Sequence, residues 1–174
     1  MDHGGQRDPH FGGPGNENMM ALMISKKSIF APMGEVCDQI MRSKGELSPA
    51  EREVIAAYVS KLSECEFCEL SHASIAKELG FNDVEKVLQG EAGGMETLFV
   101  FAKKVAQGLA TREDIEIVMS NGYSEAVAQE VVLITALFGF FNRLVEGYGF
   151  SAPPEHYPQV GRMMRDSYRA VTPA

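Results

Sequence analysis

Reactive side chains are scarce in this sequence. Three cysteines and four histidines are spread over 174 residues. His3 and His10 fall in a Gly-rich N-terminal stretch, and His156 sits beside a Pro pair, so His72 is the only histidine within the periodic body of the chain. No run of lysine and arginine suited to tracking phosphates is present. With a net charge of −8 and a pI near 5.0, no nucleic-acid partner is expected. The longest uncharged apolar run, Val131 to Phe141, falls short of the ~20 residues a membrane-spanning helix needs, so no membrane association is expected. An odd number of cysteines, in a chain whose first residues contain no signal-like apolar stretch, is not a disulfide framework. A cytoplasmic protein with reduced thiols is the expectation. Convincing strand alternation is also missing, which leaves an all-α fold.

What is present organises as one domain. Residues 1–18 are rich in glycine and read as a flexible tail, and residues 19–174 as a single helical domain whose hydrophobic content can build a core. Residues 19–44 read as one or two Met-rich helices broken near Pro32. Ser48-Pro49-Ala50-Glu51 has a capping serine, a proline at the first helical position and a glutamate placed to close a capping box. Val54, Ile55, Tyr58, Val59 and Leu62 then follow at helical spacing. Ser63 to Glu66 reads as a second box, opening a helix that ends at Gly80. Short helices follow at 82–90, 95–109 and 111–120. The longest helix, roughly 125–146, is apolar nearly all round, so it is a central helix or one buried against another subunit. A last helix is expected over 159–170.

The chemistry concentrates in the first hairpin. Cys65-Glu-Phe-Cys68 is followed by His72 and preceded by Glu53. On a helix, positions i and i+3 share a face with Cα atoms about 5 Å apart, inside the ~4.4–6.8 Å range a disulfide tolerates. A position just after a helix start favours thiolate through unpaired N–H groups and the helix dipole, which points to Cys65 as the more acidic thiol. His72, at i+4 from Cys68, is placed to exchange a proton with that thiol instead. Glu53 joins them only if the chain turns back near Ser63; otherwise it is a solvated acid beside Glu51 and Arg52. Cys37 has no partner at motif spacing and reads as a small core residue. Two further readings stand beside a redox pair: a zinc site on Cys65, Cys68 and His72, and a helical oligomer in which the disulfide senses redox state without turnover.

Glu53, an eleven-residue gap, Cys65-x-x-Cys68, a three-residue gap and His72 resemble the signature of the AhpD-like alkylhydroperoxidases of the carboxymuconolactone decarboxylase superfamily, a group that includes peroxidase-related proteins. The likeness runs over residues 47–81. It implies an all-α fold that assembles as a homotrimer or homohexamer. It also implies reduction of a small hydroperoxide without haem, flavin or other cofactor, and a dithiol reductant such as a lipoyl-bearing or thioredoxin-like protein. In that scheme Cys68 is the peroxidatic thiol, Cys65 the resolving thiol, and Glu53 and His72 the proton relay. Phe67 stands where well-known members carry a second histidine, which shortens the relay.

Overall fold

Four helices of the described chain begin where the sequence supplies a side-chain acceptor for unpaired N–H groups. The computed structural model describes residues 8–91 and 94–171, and among these nine α-helices and no strand occur. They are α1 (Met19–Ser25), α2 (Lys27–Met41), α3 (Pro49–Leu62), α4 (Glu66–Glu78), α5 (Val84–Leu88), α6 (Glu96–Ala106), α7 (Arg112–Ser120), α8 (Glu125–Tyr148) and α9 (Tyr157–Met164). Short 3-10 turns at Pro154–His156 and Tyr168–Val171 flank α9. The all-α expectation is met.

Ser48 and Glu51 form the capping box expected at the start of α3, Thr111 and Asp114 form another at α7, and Ser124 caps α8 by accepting from the Val127 N–H. Three boundaries differ from expectation. The break in the N-terminal helices falls at Lys26, while Pro32 lies inside α2. Proline in the second turn removes one early hydrogen bond, and α2 tolerates it. The second capping box is absent: Ser63 ends α3, and the next helix starts at Glu66 with Cys65 as its N-cap. Glu64 takes the left-handed conformation (φ 57°), with Cys65 N–H donating to Ser60 O and Glu64 N–H to Lys61 O. That is a Schellman turn, built on glutamate where glycine is usual. The expected C-terminal helix is divided, because the chain leaves α9 at Arg165 and closes into the final 3-10 turn at Tyr168.

Two helices form the centre. α3 buries Arg52, Glu53, Val54, Ile55, Ala56, Ala57, Val59 and Ser60, an almost complete circumference. α8 buries Val131, Ile134, Phe138 and Val145 against it. By length and composition α8 would suffice to cross a membrane, although the run read from sequence fell short; half of its apolar window is buried within the domain, which is how a core helix behaves. Its buried Asn142 meets Ser60 of α3 at 3.0 Å. α4 packs along α3 and is covered on another side by α9.

Arg52 is buried as well. Its guanidinium binds Glu130 at 2.9 and 3.0 Å and donates to the carbonyls of Ile40 and Ser43. It passes so close to Gly45 that a Cβ there would sit 2.0 Å from Arg52 Nη2. Of the stretch read as a tail, residues 1–7 lie outside the described residues. In the remainder, His10 N–H donates to Tyr148 O at 2.8 Å, and the Phe11 ring lies 4.9 Å from that of Tyr148.

Candidate active site

The turn between α3 and α4 brings Glu53 and His72, nineteen positions apart, into contact. Glu53 Oε2 and His72 Nδ1 are 2.7 Å apart, and both side chains are buried. The solvated alternative for Glu53 is therefore not what the chain adopts. A carboxylate only accepts, so Nδ1 carries the hydrogen, and Nε2 is the nitrogen left for the cavity that His72 lines.

A buried carboxylate is costly unless compensated, and the compensation here comes from residues with no motif spacing. Arg42, just past α2, places Nη1 2.7 Å from Glu53 Oε1. Tyr168, in the last 3-10 turn, donates its hydroxyl to Glu53 at 2.8 and 3.1 Å. Burial pushes the Glu53 carboxyl upward, but hydrogen bonding and charge from His72 and Arg42 outweigh it and hold the group below its ordinary range. Burial first, then the Glu53 charge, keeps Tyr168 well above the usual phenol range, so it remains a donor. Sequence reasoning missed both Arg42 and Tyr168. The one available signal is general: a carboxylate buried beside an imidazole needs a cation, and spacing does not say which.

Cys65 and Cys68 both lie at the start of α4 and are buried. Cys65 is the N-cap residue, and a thiolate at that place is favoured by the Cys68 thiol and by the Cys68 backbone N–H. The Cys65 thiol is accordingly lowered, by the Cys68 thiol first, against burial and the charges of Glu146 and Glu69. Cys68 moves the opposite way, well above the ordinary thiol range, because it is the donor to Cys65 and is buried. The thiol hydrogen bond thus runs from Cys68 to Cys65, and Cys65 is the more acidic of the two.

Exposure to the cavity reverses that order. A cavity of about 360 Å³ is lined by Cys68 and His72 but not by Cys65. Methionines form much of its wall: Met19, Met20 and Met23 from α1, Met33 from α2, Met163 and Met164 from α9. Phe67, Phe138 and Phe141 supply aromatic surface, and the Phe138 ring stands edge-on to His72 at 4.1 Å. The Met-rich first helices thus wall this cavity. Cys37 also lines it, with its thiol pushed up to about 12 by burial and then by Asp38 and Glu53, so it is a poor nucleophile. Phe67 points its ring toward His156, at 5.9 Å between centroids.

A zinc site finds no support. Among the described residues no group of three or more His, Cys, Asp and Glu side chains is arranged to hold a metal ion.

Residues 28–87 match the carboxymuconolactone decarboxylase family. No curated protein matches the chain. Among solved structures, the chain is similar to the alkylhydroperoxidase AhpD core of an uncharacterized peroxidase-related protein from Ralstonia eutropha JMP134, with a TM-score of 0.71 and 24% identity over 82% of this chain and 79% of that one. It is likewise similar to an uncharacterized peroxidase-related protein from Silicibacter sp. TM1040, with a TM-score of 0.70 and 20% identity over 80% of this chain and 77% of that one. The segment that matches the carboxymuconolactone decarboxylase family spans Glu53, Cys65, Cys68 and His72, and the likeness to the two solved structures is one of helical fold.

Proposed function

We propose that the chain is a thiol-dependent peroxidase that reduces organic hydroperoxides through Cys68 and Cys65. The observation that carries this reading is the cavity, where a single wall presents the Cys68 thiol and a carboxylate-oriented imidazole to an apolar space. The proton leaves Cys68 for His72. The Cys68 sulfur then attacks the terminal oxygen of ROOH; the S–O bond forms as the O–O bond breaks, and RO⁻ takes a proton to leave as ROH. Cys68 is now a sulfenic acid. Cys65 attacks its sulfur, the S–S bond forms, and hydroxide leaves and is protonated to water. An external dithiol, lipoyl or thioredoxin-like, reduces the disulfide by exchange. No step calls for a bound cofactor.

Methionine and phenylalanine walls favour an apolar R group over hydrogen peroxide. Thiol titration tests the reading: one equivalent of cumene hydroperoxide is expected to remove two of the three thiols, and faster than one equivalent of hydrogen peroxide does. Three thiols surviving the organic peroxide would reject it.

Assembly belongs to the same reading. Outward-facing Val132, Leu133 and Phe140 leave one stripe of α8 apolar and exposed, with Ile117 and Met119 exposed on the neighbouring α7. A homotrimer, or a hexamer built from it, is expected in sedimentation at micromolar concentration. A clean monomer would remove the assembly and leave the chemistry standing.

A further inference from the structure

The innermost part of the site is assembled from the two ends of the described chain. Asp38 on α2 accepts the Tyr168 backbone N–H at 2.6 Å and the Ser167 hydroxyl at 2.8 Å, and pairs with Arg169 at 3.2 Å. Arg42, one turn further on, donates to the carbonyls of Met164 and Arg165, both at 2.9 Å. Its guanidinium also lies over the Tyr168 ring, 4.9 Å from the centroid. Residues 164–169 are thus strapped to the α2 end by Asp38 and by Arg42, the latter also paired with Glu53. Among the described residues, the one side-chain hydroxyl that reaches Glu53 is brought there by this strap.

We infer that Tyr168, held by the Asp38 strap, is a positioning residue that fixes the tautomer of His72. Glu53 has two oxygens. Arg42 and Tyr168 occupy Oε1, and the phenol also reaches Oε2, so the carboxylate is held at both ends with one lone-pair direction left for His72 Nδ1–H. Tyr168 Oη also approaches His72 Nδ1 at 3.3 Å. Spending its single hydrogen on Glu53, it can offer that nitrogen only a lone pair, which again favours hydrogen on Nδ1. Without the hydroxyl the carboxylate can turn about its last bond, and the Nε2–H tautomer becomes accessible. In that form the nitrogen on the cavity side is no longer an acceptor. The groups around His72 are Glu53 from α3, Arg42 and Cys37 from the α2 end, Tyr168 from the strap and Cys68 from its own helix, with the uncharged Phe138 ring from α8. Tyr168 needs no contact with substrate for this role.

The assignment rests on the peroxidase reading only for its kinetic arm. Tyr168→Phe keeps the ring and removes the hydroxyl; Asp38→Asn loosens the strap while leaving Tyr168 intact. Nitrogen-15 NMR of histidine-labelled protein reads the tautomer directly, whether or not the protein turns over peroxide. Wild type is expected in the Nδ1–H form, and both variants as a mixture. The first oxidation of Cys68 is expected to slow about 10- to 100-fold in Tyr168→Phe, the worth of one hydrogen bond to a charged group. If His72 keeps a pure Nδ1–H signature in Tyr168→Phe, the inference is wrong, even if the rate falls. If wild type consumes no peroxide, the function is wrong while a mixed tautomer in the variant still supports the positioning role.

Discussion

Cys68→Ser is expected to abolish consumption of organic hydroperoxide, while Cys65→Ser consumes one equivalent and stops at a trapped sulfenic acid. Cys65 is the more acidic thiol, but a thiolate can attack only what it can reach, and Cys68 is the cysteine that lines the cavity. Cys65→Ser also removes the acceptor of the Cys68 proton, leaving His72 to take it. His72→Gln should then slow the first step by about 10²- to 10⁴-fold, the usual worth of a positioned proton-transfer group. Stopped-flow consumption assays with trapping of the sulfenic acid separate these cases. The reverse pattern, in which Cys65→Ser is dead and Cys68→Ser traps, would mean that the N-cap environment decides the nucleophile and that substrate arrives by another route.

Arg42→Met is expected to destabilise the protein by about 3–5 kcal/mol, the usual loss when one partner of a buried ion pair is removed. Glu53 is fully buried and Arg42 nearly so, so the remaining carboxylate has no water to turn to. Urea unfolding measures the effect. Adding Glu53→Gln to Arg42→Met should recover much of the loss, since it deletes the stranded charge. Acid should act in the same direction. The carboxyl of Glu53 is held below its ordinary value near ~4.3, so its contribution is complete above that pH and is lost as the pH falls through the lower, folded-state value. The Glu53→Gln variant should lack that portion of the acid dependence. A cost under about 1 kcal/mol for Arg42→Met would place the pair among exposed ones and contradict its burial.

Local signals carried the helices well where capping chemistry was explicit. Ser48 with Glu51, Thr111 and Ser124 each mark a helix start that the fold adopts, because those contacts lie within one turn of chain. The Glu53–His72 pairing was legible only conditionally, since it needed a chain reversal near Ser63. That reversal exists by a different device from the expected capping box. Glutamate in a left-handed turn gives no sequence cue of the kind glycine gives. Pro32 misled for the opposite reason: proline is a strong breaker in a helix interior, but near a helix start packing can absorb it.

The rest of the site was beyond linear reading. Arg42 lies eleven positions before Glu53 and Tyr168 lies 115 after it, so no helical or strand period relates them. Asp38, which fastens Tyr168, is likewise 130 positions from it. These residues meet because the chain breaks after α9 and folds back on α2, a tertiary event set by side-chain partners rather than by propensity. Glu146, whose charge bears on both cysteines, comes from the far end of α8.

Peptide mass mapping after one equivalent of cumene hydroperoxide tests the central claim most directly. The account predicts a single Cys65–Cys68 disulfide, reversed by a dithiol, with Cys37 recovered as a free thiol. All three thiols recovered free, or Cys37 bridged to either partner, would contradict it.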